Sequence, residues 1–600
     1  MGVITSLFGP RDPKTPVKGI LPRIKNILVH HHRGIIGVLI PFVALSWQPR
    51  KGMNDITVGC MWFWMFWFLL WQPVNVPIVG LIPVFLLPMS GVMPTVDVCR
   101  SYFNDNIALF ILSGMVLLLL NMSGIDRRII LWLLCSGDNC QFSGKRIVFK
   151  SSVAAFVMSM FSNRLIASST ITQYLTPAYT NLQSYTSRYR ATEPNYDTMR
   201  YIVLNAVQTS SAIGSTAIMH SAYATIAMRA IFAEQEKKGT VYPDIFNFLQ
   251  YSFFAFPVAF LMFILNMCYH MLLINWAIGK SMSASSMTEL RNTLLKQKEA
   301  IPKRISRHEA LSVIFSILYL AALLFRWSKW PSASWSKFRT VPNHDNIPMI
   351  NDATVAAIFV TAIHVIPKTC GWARILQAEK KSQCGSLKPD SAIMWWRFVD
   401  KNTNYGYIIL LGSGIALNRA IKESGLGQKV MAFYGNFAEK PWNNQMLVVS
   451  LVSSILPNIM SGVGGLISIL PFVLSLTNRE IETKSPWEKH SYLGALGVGV
   501  GSSFGFMLPF LYTPAYFCHY TGKVPIKKMI KYSIGSLIIC IIILWVALCF
   551  WAPVIWDPEN KGFEPVTIAA AGDGGGDAGG GGGGPEGGDG GEPEAPEGRV

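Results

Sequence analysis

Apolar blocks such as "WFWMFWFLLWQPVNVPIVGLIPVFLLP" (62–88) and "LIICIIILWVALCFWAPVIW" (537–556) recur along the whole chain. A bilayer core of about 30 Å is crossed by about 20 helical residues, and these blocks reach that length. Lipid offers no water to backbone N–H and C=O groups, so such segments must be helices. The chain is therefore read as an all-α membrane protein. Spans are expected near 34–48, 57–72, 75–90, 106–123, 198–232, 246–277, 309–325, 352–367, 405–424, 489–520 and 532–556. Two further segments, near 147–182 and 443–477, are interrupted by polar residues. If both dip in and return on the same side, about 11 transmembrane helices remain, with two re-entrant hairpins.

Charge sets the orientation. The basic leader (1–33), "DRRIILWLLCSGDNCQFSGKR", the basic loop at 278–308, "WARILQAEKKSQCGSLK" and "GKVPIKKMIK" all fall on one predicted side. The positive-inside bias puts that side, and the amino terminus, in the cytoplasm. The segment at 326–339 opposes this, because it would carry four basic residues outside. The leader is polar and basic for over thirty residues, which does not match a cleavable signal peptide. The net charge of +18 lies in loops between spans rather than in a basic domain, which argues against nucleic acid as a partner. The 10 Cys are scattered without metal-ligand or disulfide-framework spacing. Residues 557–600 form a Gly-rich acidic tail, expected to be a disordered spacer outside the cell.

An internal repeat organises the rest. "LFILSGMVLLLLNMSGIDRRI" (109–129) is similar to "IILLGSGIALNRAIKESGLGQ" (408–428), and each precedes one polar-interrupted segment. Each of those precedes a Gly/Ser-rich span, "SSAIGSTAIMHSAYA" (210–224) and "GVGVGSSFGFMLPFLYTPAYF" (497–517). The order predicts a first repeat over 34–277 and a second over 309–556, oppositely oriented. Inverted repeats with broken helices are the architecture of secondary transporters.

The pieces "VPIVGLIPVFLLP", "NDNIALFILSGMVLLLLNMSGIDRRI", "NYGYIILLGSGIALNRAIKESGL" and "SSFGFMLPFLYTPAYF" resemble the divalent anion/sodium symporters, the citrate and dicarboxylate carriers that include the "I'm not dead yet" proteins. The likeness runs in order over roughly 30–556. It implies a homodimer whose protomers have scaffold and transport domains, with an elevator motion and sodium as coupling ion. It also implies that substrate and ion sit at Ser-Asn-Thr motifs on the hairpin tips and at breaks in the facing helices. At the first tip Ser162 and Asn163 match, but Arg164 replaces Thr; counting back from Pro177 gives a second register at Ala167, Ser168, Ser169 and Thr170. At the second tip Ser461 and Gly462 stand for Ser-Asn. The breaks retain Gly214, Ser215 and Thr216 in the first repeat, and Ser502, Ser503, Thr513 and Pro514 in the second.

Sodium needs several oxygen ligands, so exchanging Asn for Gly462 predicts weakened coupling. An intramembrane Arg costs about 2.5–3.5 kcal/mol on insertion scales, so Arg164 should find a polar setting. It holds a substrate carboxylate, replaces a sodium ion with a fixed charge, or snorkels at the inner surface. His220 either lines the cavity or packs. His364, the cluster at 30–32 and "MWFWMFWFLLW" read as packing, interfacial and lipid-facing features. "GVGVGSS" lacks the Lys of a phosphate loop, and no enzyme reading survives. The expected function is secondary transport of organic anions, such as succinate or citrate, across the plasma membrane. The alternative is a family paralogue that has lost coupled transport and acts as a regulator.

Overall fold

The computed structural model describes residues 19–46, 54–136, 144–162, 164–189, 196–233, 240–241, 245–278, 284–327, 334–341, 344–369, 376, 391–403, 405–433, 440–477, 491–509, 512–556 and 566–567. The first half runs through α1 (Ile20–Ser46), α2 (Asn54–Trp71), α3 (Ile82–Met89), α4 (Asp105–Leu117) and α5 (Ile125–Cys135). It continues with α6 (Gly144–Phe161) and α7 (Arg164–Tyr189), then α8 (Tyr196–Ser215), α9 (Tyr223–Ala233) and α10 (Phe248–Ile278). Helix α11 (Ala284–Glu299) joins the halves. The second half holds α12 (Arg307–Leu324), α13 (Asp352–Val365), α14 (Tyr405–Glu423), α15 (Trp442–Ile455) and α16 (Gly462–Thr477). It closes with α17 (Ser491–Gly501), α18 (Thr513–Tyr520) and α19 (Ile526–Val546).

The protein is an almost wholly helical membrane protein, and the polar-interrupted segments are two helix pairs, α6–α7 and α15–α16. The Gly/Ser-rich spans are likewise divided, into α8–α9 and α17–α18. Breaks explain why only four described helices are by themselves long and apolar enough to cross: Thr95–Ser123, Phe248–Ala277, Arg307–Leu324 and Ile526–Ile555. Helix starts are set locally. The Asn104 side chain accepts a hydrogen bond from Ile107 N at 2.9 Å and caps α4. Ser306 and Glu309 form a capping box that opens α12, and Glu309 also pairs with Arg128 at 3.0 Å.

Two stretches differ from expectation. The loop at 278–308 contains helix α11, whose Met287, Leu290 and Leu294 are buried at helical spacing against α5 and α7. Its other face is polar enough to hide that periodicity. The acidic tail is ordered at Val566 and Thr567, which pair antiparallel with Val241 and Thr240. A second small ladder joins Thr340–Val341 to His344–Pro348. The Gly-rich part of the tail lies outside the described residues.

A buried ion cluster ties the halves together. Arg229 on α9 reaches Asp352, the first residue of α13, at 2.6 Å, and Arg326 binds both Asp352 oxygens, one of them at 3.2 Å. Arg326 also donates to Ile350 O at 2.9 Å. One basic residue of the segment that opposed the orientation is thus neutralised inside the protein. Removing the acid strands two guanidinium groups, so Asp352→Asn is expected to destabilise by about 3–5 kcal/mol. Thermal unfolding in detergent should show a clearly lowered midpoint, with a smaller drop for Arg229→Gln. An unchanged midpoint in Asp352→Asn would mean the cluster is dispensable for stability.

Candidate functional site

Breaking a helix frees backbone groups that water cannot reach, and side chains take them up. After α17, Asn458 accepts from Phe506 N at 2.8 Å and Met507 N at 2.9 Å, and donates to Phe504 O at 3.1 Å. Gln208, on α8 of the other repeat, donates to Phe506 O at 3.1 Å. In the first break, Thr216 O accepts from the Tyr251 hydroxyl at 2.9 Å, and Ser221 Oγ donates to Met160 O at 2.5 Å. The break is thereby held to the first hairpin. Gly214 allows α6 and α8 to touch there: a Cβ would lie 2.5 Å from Phe156 O.

In the first hairpin one helix ends at Phe161 and the next begins at Arg164. Asn163 lies outside the described residues. Ser168 and Thr170 are buried within α7, and Ser169 is half-buried. Ser162 is buried, its Oγ bonded to Met158 O at 2.8 Å. Arg164 opens α7, and its carbonyl accepts Ser168 Oγ at 2.9 Å and Ser211 Oγ at 3.0 Å. Its guanidinium lies 4.2 Å from the centroid of the Tyr512 ring and donates to the Tyr512 hydroxyl. That hydroxyl in turn donates to Ser503 O, the carbonyl next to the second break. Among the described residues no carboxylate pairs with Arg164. It is half-buried and turned inward rather than extended along the surface.

At the second tip Ser461 Oγ accepts from Gly464 N at 3.1 Å and caps α16. A Cβ on Gly462 would stand 2.4 Å from Ser502 O, so no larger side chain fits without displacing backbone. Ser461, Tyr512 and Thr513 share a cleft of about 260 Å³ with Gln72, Tyr407 and Tyr516. Helices α16 and α18 both begin at its edge, with Pro514 in the first turn of α18. Helix N-termini carry partial positive charge and suit anions.

The other described sequence candidates do not line this cleft. Ser215 and Thr216 bond Ala212 O and Ile213 O at 2.8 and 2.7 Å. Ser502 and Ser503 are buried, and the Ser503 hydroxyl has no partner among the described residues. His220 packs against the rings of Phe248 and Tyr319, and His364 bonds Val360 O at 2.7 Å. Sequence reasoning passed over Tyr407, Asn458, Tyr512 and Gln72. Only Tyr512 had a local signal, standing directly before Thr513 and Pro514.

Several known proteins are similar to this chain over most of its length. The chain is 22% identical over 586 residues to "Protein I'm not dead yet" of Drosophila melanogaster, covering 93% of this chain and 94% of that protein. It is 21% identical to Na(+)/dicarboxylate cotransporter 3 of Mus musculus, covering 87% and 92% of the two chains. Sodium-dependent low-affinity dicarboxylate transporter 1 of Caenorhabditis elegans is 22% identical, with 82% and 85% covered. The family profile described as "citrate transporter" matches residues 66–488, and the chain belongs to that family.

Proposed function

We propose that this protein carries small di- or tricarboxylates, such as succinate or citrate, across the membrane. One observation supports the reading above the others: the Arg164 guanidinium, with no carboxylate partner among the described residues, stacks on Tyr512, a wall of the cleft where α16 and α18 begin. A positive charge held in a low-dielectric interior is stabilised by an anion, and guanidinium matches a carboxylate in shape. Hydroxyls of Ser461 and Thr513 supply further donors. The residues at the hairpin tips and breaks, Ser162 to Thr170, Gly214 to Thr216, Ser461, Gly462, Ser502, Ser503, Thr513 and Pro514, form the moving body. In an elevator motion it shifts against α2, α3 and α14, within a homodimer in the plasma membrane whose amino terminus is cytoplasmic.

Relatives are named for sodium dependence. Here sodium coupling is weakened at the second tip. Gly462 offers no amide oxygen, and the carbonyl of Ser503 already accepts from Tyr512. Arg164 adds a fixed charge beside it. A regulator without transport would agree with the closed second tip, but it leaves the open polar cleft without a use.

Uptake of labelled succinate and citrate into proteoliposomes, with and without a sodium gradient, tests the reading. Uptake that changes less than about twofold on removing sodium is expected; absence of uptake for every carboxylate offered would sink the carrier. Arg164→Gln should raise KM by about tenfold or more, the scale of a charge-assisted hydrogen bond. Unaltered KM would place Arg164 outside the site. Gly462→Asn should not restore sodium dependence but should lower folded yield, because the new side chain meets Ser502 O; size-exclusion profiles check this.

A further inference from the structure

Trp71 ends α2, and the next residues, Gln72 and Pro73, decide how the chain leaves it. A proline cannot continue the helix and pushes the residue before it towards extended backbone. Gln72 instead takes φ +51°, the left-handed region, with its N–H bonded to Phe68 O at 2.9 Å. Glycine or asparagine normally fills such a helix-ending position. Glutamine gains nothing there from its backbone, so the reason for its presence lies in the side chain.

That side chain has no hydrogen bond among the described residues, and its Nε2 is shielded from water. Gln72 lines the cleft together with Ser461, Tyr512 and Thr513. Gln72 is half-buried, and a shielded amide nitrogen without a partner is rare enough to call for an explanation, which a ligand in the cleft supplies. The two ends of a glutamine amide are oriented by what they bond to. With no partner on either end, the NH₂ is free to turn into the cleft.

We propose that Gln72 is a substrate-binding residue, donating its amide NH₂ to a carboxylate oxygen of the bound anion. The inference rests on the carrier reading above and adds a contact from outside the hairpin-and-break body. Helix α2 lies against the second hairpin, with Trp62 Nε1 donating to Ser468 O at 2.9 Å. If that hairpin moves past α2, the Gln72 contact exists in one position of the cycle and not in the other. The anion is then held more tightly on the side of the membrane where the two meet.

The test is succinate and citrate uptake by the full chain in proteoliposomes, measured from both faces. Gln72→Gly removes the amide while favouring the left-handed backbone, so the fold is kept. It should raise KM about tenfold at one face, leave KM at the other face within twofold, and not lower the thermal midpoint. Gln72→Asn, which keeps an amide and tolerates the same backbone, should recover part of the loss. Gln72→Glu should abolish saturable uptake from the affected face through charge repulsion. Equal KM for Gln72→Gly and the unaltered protein at both faces overturns the inference, as does a loss confined to Vmax. No carboxylate uptake by the unaltered protein overturns the carrier reading itself, and the two failures are separable on that ground.

Discussion

Backbone groups released inside a membrane protein must be bonded by the protein, and the two helix breaks concentrate that demand. Asn458 alone accepts two backbone N–H groups and donates to a third partner, Phe504 O. Tyr251, Gln208 and Tyr512 cover further carbonyls of the breaks, and Ser221 reaches from the first break to Met160 O of the hairpin. Most of these bonds cross between a break and a hairpin, or between the repeats. The breaks therefore hold the hairpins in register, and the cleft takes its shape from that arrangement.

The same demand explains how this chain departs from the Ser-Asn-Thr pattern that it resembles. Where glycine stands at 462, the hairpin tip can approach the Ser502 carbonyl closely, and a side chain would prevent it. Tyr512 then covers the Ser503 carbonyl, and Arg164 covers Tyr512. Arg164, Gly462 and Tyr512, far apart in sequence, form one connected unit.

Much of the fold was legible in the sequence, because apolar length and polar interruption act locally. The helices under the apolar spans, the two helix pairs and the two divided spans follow from those signals, whereas the tip residues Ser162, Arg164 and Ser461 rest on the family resemblance. Helix α11 was missed because three buried residues carry its packing in an otherwise polar stretch. Asn458 and Tyr407 were missed because their roles depend on partners elsewhere in the chain. Arg229, Arg326 and Asp352 gave no sign of their ion cluster for the same reason. The register of the first hairpin motif is ambiguous in sequence, since hydroxyl residues recur at Ser162 and through 168–170.

Arg164 also bears on electrical behaviour. A guanidinium built into the body that moves would accompany the cargo on every crossing, so a dianion would travel with one of its charges already balanced. The unloaded return would then carry positive charge. Each elementary charge displaced through the full field exchanges about 2.3 kcal/mol per 100 mV. On the proposed reading, membrane voltage would act on the empty and the loaded carrier in opposite senses, and one arginine would set that balance.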